Sequence, residues 1–122
     1  MFNHFTNEPM TEMFIFETTQ QIEQLEKHIL DSEKDHSFSK EAINEIFRIM
    51  HTIKGSATMM LFQDISTLAH SIEDIFYYIR EEEPQKIDYT YLSDLILNGV
   101  DFIKIELEKL KNGAPVDGKA NH

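Results

Sequence analysis

The sequence predicts an all-α fold, an antiparallel up-and-down four-helix bundle. Apolar residues recur with the three-then-four rhythm of a buried helical stripe along four separate segments. The stretches between those segments are short and carry helix punctuation. Three prolines and four glycines in 122 residues are too few for the turns of a loop-rich or all-β fold.

The first helix is expected over about 11–30, with Phe14, Ile15, Ile22, Leu25, Ile29 and Leu30 as its apolar set. Pro9 suits a helix start, where a missing N–H costs nothing. Residues 1–9 then form an N-terminal extension that either adds a short helix or trails. Residues 31–37 read as a polar loop, after which Ser39 can cap a second helix over 40–60. The stripe of that helix is Ala42 or Ile43, Ile46, Met50, Ile53 and Ala57. Asp64 is the expected cap of the third helix, whose stripe is Ile65, Leu68, Ile72, Ile75 with Phe76, and Ile79. Pro84 stops it. Asp88 can cap the fourth helix, which carries Leu92, Leu95, Ile96, Ile103, Leu107 and Leu110. Asn112–Gly113 ends it, because glycine takes the left-handed conformation at little cost. The bundle is thus expected over 10–112, with 113–122 as a flexible tail or linker.

Composition narrows the function. Apolar residues make up 41% of the chain, enough to close one core despite the high charge. The formal net charge of −11 repels phosphate backbones and anionic lipid, so neither nucleic acid nor membrane is expected as a partner. Without cysteine there is no disulfide, zinc–thiolate site or cysteine nucleophile. No apolar run nears the roughly 20 residues of a membrane span, and residues 1–9 do not read as a signal peptide. A cytoplasmic location is the expectation.

Chemistry concentrates on the second helix, in His51-Thr52-Ile53-Lys54-Gly55-Ser56-Ala57. Positions 47, 51, 54, 55 and 58 share one face, beside the apolar stripe, so His51 lies at the edge of the core. Gly55 costs about 0.5–1 kcal/mol relative to alanine inside a helix. Room for a bulky group near the imidazole would offset that cost. Lys54 adds a cation suited to the negative charge of a phosphoryl group on the ring. His70 and Glu73, three apart on the third helix and off its apolar stripe, can face His51 if the two helices are antiparallel neighbours. A carboxylate on Nδ1–H would fix the tautomer and leave Nε2 as the nucleophile. Glu73 is the candidate for that role, with His70 completing the network.

His51-Thr52-Ile53-Lys54-Gly55-Ser56 resembles the His-x-x-Lys-Gly signature of histidine phosphotransfer domains. Leu68-Ala69-His70-Ser71-Ile72-Glu73-Asp74 resembles the third-helix motif of the N-terminal phosphotransfer domain of CheA-type chemotaxis kinases. The two histidines are 19 positions apart, similar to the spacing in that branch. The resemblance implies that His51 is phosphorylated through Nε2, that Glu73 orients it, and that Lys54 and His70 join the network. It implies a histidine kinase ATP-binding core as donor and an aspartate of a response-regulator receiver domain as acceptor. ATP and magnesium would belong to those partners, with no cofactor on this chain. No stand-alone kinase activity is expected, since no glycine-rich nucleotide loop is present. Many chemotaxis members carry more glycines after the motif; here residues 56–62 are bulkier and more apolar.

Blander readings compete with each of these. A helical histidine is more often structural or solvated than reactive. Glu73 could be a surface acid, His70 a polar edge and Lys54 an ordinary lysine. Phe76, Tyr77, Tyr78, Tyr89 and Tyr91 read as packing, and Met59, Met60 and Phe62 as either core or an adaptable contact patch. Two other functions fit less: a helical adaptor without chemistry, which leaves Gly55 unexplained, and a metal-binding bundle using His51, His70 and Glu73, which lacks the paired motif of di-iron bundles.

Overall fold

The computed structural model describes residues 2–113, with side chains from Glu8 onward. Its helices are α1 (Phe2–Glu33), α2 (Lys40–Met59), α3 (Gln63–Glu82) and α4 (Tyr89–Lys111). Short connections force neighbouring helices to run antiparallel. Helix α2 packs most intimately on α3, while α1 lies against α2 and α4, and α4 returns to α3. The result is the up-and-down four-helix bundle expected from periodicity.

The apolar stripes meet in one core. Ile22, Leu25, Ile46, Met50, Ile53, Ile65, Ile72, Phe76, Ile96 and Ile103 are all buried within it. Two helix starts use the expected caps. Ser39 Oγ accepts from the Ala42 N–H at 3.0 Å, and Asp88 Oδ1 accepts from the Tyr91 N–H at 3.0 Å. Gly113 closes α4 with φ +76°, its N–H donating to the Leu110 carbonyl at 3.2 Å.

Several expectations are corrected. The first helix does not begin after Pro9: α1 runs from Phe2 to Glu33 with Pro9 inside it. Pro9 is the eighth residue of α1, an interior position where it leaves one backbone hydrogen bond of the helix unmade. The helix also outlasts Leu30, which is exposed, because α1 has turned that position away from its neighbours. Asp64 is not a cap but the second residue of α3, and Phe62 occupies the cap position with no side-chain hydrogen bond. The expected tail from 113 lies, beyond Gly113, outside the described residues.

The turn between α2 and α3 explains the missing cap. The Phe62 N–H donates back to the Ala57 carbonyl at 2.9 Å, and the Leu61 N–H to the Thr58 carbonyl at 3.1 Å. Leu61 lies between them at φ +65°. This is the Schellman pattern, with leucine where glycine is usual. It seats Phe62 edge-to-face on Phe14, with ring centroids 5.1 Å apart. The Thr58 and Ser66 hydroxyls, 2.6 Å apart, clip the two helices just beyond it. So short a link holds α2 and α3 in fixed register, and the candidate site spans that seam.

Candidate functional site on the α2–α3 seam

Phe47, His51, Lys54 and Gly55 occur at helical spacing on one face of α2. The neighbouring Ile46, Met50, Ile53 and Ala57 are buried, which leaves this face at the rim of the core. His51 accordingly carries an exposed imidazole, its side chain 62% accessible.

Opposite it stands Glu73 of α3, whose side chain is only 8% accessible. Its Oε2 lies 2.6 Å from His51 Nδ1. A carboxylate only accepts, so Nδ1 carries the proton and donates. That assignment leaves Nε2 with its lone pair. The other oxygen, Oε1, sits 2.9 Å from Nζ of Lys54, itself 27% accessible. Burial opposes the charge on Glu73. The His51 hydrogen bond and the Lys54 cation outweigh that burial and hold the carboxyl below the ordinary carboxylate range.

Glu73 is therefore not off the inner face of α3, as its polar character suggests in the sequence, but one of the buried residues of that helix. Only a polar partner makes that position tolerable, and α2 supplies two. His70 does not reach the carboxylate. It is exposed, with Nε2 3.4 Å from Asp74 Oδ1 one turn along its own helix. The structure brings together His51, Glu73 and Lys54, and leaves His70 outside that contact. Gly55 is exposed, and a β-carbon there would meet nothing within 4 Å. The space it keeps clear is space outside the chain.

Phe47, Arg80 and Tyr77 extend the site in a way that residue spacing did not single out. The Phe47 ring lies 6.1 Å from the His51 ring with 19° between the planes. The Arg80 guanidinium stands 4.3 Å from the Phe47 centroid. Position 47 was on the right helical face, but nothing in the sequence shows that Arg80 comes from α3 to cover it. Tyr77, Tyr78 and Tyr91 are exposed, contrary to the packing expectation, whereas Phe76 and Tyr89 are buried. Of the apolar segment after the motif, Phe62 turns inward, while Met59 and Met60 line a shallow groove of about 370 Å³ with Met10 and Met13. Among the described residues no group of three or more histidine, aspartate or glutamate side chains could hold a metal ion.

Residues 9–113 match the family model of the Hpt domain. The chain is 38% identical over 109 residues to chemotaxis protein CheA of Treponema pallidum (strain Nichols), a match covering 89% of this chain and 13% of that protein. It is 35% identical over 114 residues to chemotaxis protein CheA of Borreliella burgdorferi, covering 93% of this chain and 12% of that one. The chain thus spans about an eighth of the length of these curated relatives. Among solved structures it is similar to the CheA phosphotransferase domain from Thermotoga maritima, with TM-score 0.75 and 33% identity over 84% of this chain and 95% of that one.

Proposed function

This chain belongs to the Hpt domain family, and on that premise we propose that it carries a phosphoryl group on Nε2 of His51, between a histidine kinase core and a receiver domain. One observation carries the reading: Nδ1 of an exposed ring is tied to a buried carboxylate, which leaves Nε2 as the open ring nitrogen.

The chemistry follows from that tie. The Nε2 lone pair attacks the γ-phosphorus of ATP held by the kinase, the N–P bond forms, and the P–O bond to ADP breaks. The ring keeps its Nδ1 proton and so becomes an imidazolium. Glu73 stabilises that charge through a charge-assisted hydrogen bond. Lys54 keeps Glu73 ionised and in place, and adds positive charge beside a phosphoryl group bearing about two negative charges. In the return step an aspartate oxygen of the receiver attacks phosphorus, and the N–P electron pair goes back to Nε2. Gly55 leaves the approach clear. Magnesium and ATP are requirements of the partners.

The site set is His51 as acceptor, Glu73 and Lys54 as its orienting pair, and Gly55 as the clearing, within a phosphotransfer unit over 10–112. His70 acts through Asp74 at most. The relatives named CheA favour chemotaxis signalling, with this chain as the phosphoryl-carrying domain of a kinase in the cytoplasm. Among the described residues no helix is long and apolar enough to cross a membrane.

The test is direct. With a CheA-type kinase core, magnesium and labelled ATP, acid-labile label appears on His51 and leaves when a receiver domain is added. H51Q keeps the fold, since the ring it removes is exposed, and takes no label. Equal labelling of H51Q sinks the assignment. Absent labelling with intact partner binding would instead favour the adaptor.

A further inference from the structure

The geometry points to Phe47 as a positioning residue that holds the plane of the His51 ring for phosphoryl acceptance. The inference rests on the reading of His51 as acceptor and goes beyond the Glu73 tie. One hydrogen bond fixes one atom of an imidazole. The torsion that turns the ring is broad and shallow, so the plane can still swing about that bond and move Nε2 off line. In an exposed ring little else restrains it.

Phe47 supplies the missing restraint. It stands one helical turn before His51, and its ring runs nearly parallel to the imidazole, 19° between planes with centroids 6.1 Å apart. That lies within the range of offset aromatic pairs. Phe47 is itself held from the neighbouring helix. The Arg80 guanidinium lies 4.3 Å from its centroid and the Tyr77 ring 5.9 Å from it. Arg80 in turn donates from a terminal guanidinium nitrogen to Asn44 Oδ1 of α2 at 3.2 Å. The plate beside the imidazole is thus anchored to both helices. One turn after His51, by contrast, Gly55 leaves open space.

Phosphoramidate tests this without a protein partner, so docking does not enter. Nε2 attacks its phosphorus, the N–P bond to His51 forms, the P–N bond of the donor breaks, and the already protonated amine leaves as ammonia. The full chain is compared with F47L, which keeps an apolar side chain but removes the flat ring, and with F47Y, which keeps the ring. Each is first shown to melt cooperatively as a helical protein. The expected result is that F47L accepts phosphoryl about fivefold to tenfold more slowly, the scale of a small misplacement at a reacting atom. Its His51 Nδ1–H resonance should broaden or vanish, and F47Y should recover both rate and resonance. A folded F47L with the wild-type rate and resonance overturns the proposal, as does an F47Y as slow as F47L. Wild-type protein that takes no phosphoryl on His51 overturns the acceptor reading, and the proposal with it.

Discussion

Glu73 of α3 and His51 of α2 meet at 2.6 Å across the bundle seam, one buried and one exposed. The carboxylate is held by the core, and the ring borrows that rigidity while its far nitrogen faces solvent. A carboxylate on the surface would compete with water and fix the ring less well. Burial of the acid, more than its mere presence, fixes the orientation of the imidazole.

Removing that acid should slow the chemistry more than it disturbs the fold. E73A is expected to accept phosphoryl from a kinase core roughly 10²-fold more slowly, the low end for loss of a positioned acid–base partner. Initial rates of labelling from ATP, at equal helicity by circular dichroism, measure this. An unchanged rate removes Glu73 from the site.

The same carboxylate gives a pH signature. Its pKa in the folded chain lies below the ordinary value of 4.5, so the unfolded chain binds that proton more readily. The stability it contributes is then fully present above the unfolded value and is lost as pH falls through the folded one. Urea unfolding of wild type and E73Q from about pH 6 to 3 should show a stability difference that shrinks below the ordinary carboxylate value. A difference constant across that range would mean that the charge of Glu73 contributes nothing.

Two helical glycines should respond oppositely to alanine. At Gly55 a β-carbon meets nothing, so G55A should gain about 0.5–1 kcal/mol from helix propensity. At Gly99 it would come 2.9 Å from Cδ1 of the fully buried Ile72, with Leu68 also in contact. Overpacking of that kind costs about 1–3 kcal/mol and should exceed the propensity gain. Thermal unfolding of the two variants checks the sign of each. A G99A as stable as G55A would mean that the α3–α4 contact has slack.

The α2–α3 turn offers a stabilising substitution. Leu61 holds φ +65°, a conformation costing a non-glycine residue roughly 1–2 kcal/mol, and its side chain is exposed. L61G should raise stability by about 0.5–1 kcal/mol after the entropy glycine adds to the unfolded chain. Denaturant midpoints measure it. A loss of stability would show that the Leu61 side chain contributes contacts worth more than the strain.

Much of this molecule was legible in one dimension. The stripes on α2 and α3, the caps at Ser39 and Asp88, and the stop at Gly113 are local features, set by periodicity and by side chains that bond their own backbone. They appear where the sequence placed them. The face carrying His51, Lys54 and Gly55 was equally local, since helical spacing alone puts them together. Local signals also misled. Pro9 looked like a helix start, and Asp64 looked like a cap that the Phe62 turn made unnecessary.

Everything that crosses between helices needed the fold. Residue spacing put His70 and Glu73 on one face of α3, with Glu73 as the expected partner of His51 and His70 completing the network, but only Glu73 turns into the seam, while His70 turns to Asp74. The rotation of one helix about its axis against another is fixed by how the whole core packs, and no single segment encodes it. The same rotation buries Glu73 despite its charge and carries Arg80 over Phe47. Sequence alone determined which residues could do the chemistry; packing of α3 against α2 decided which of them touch.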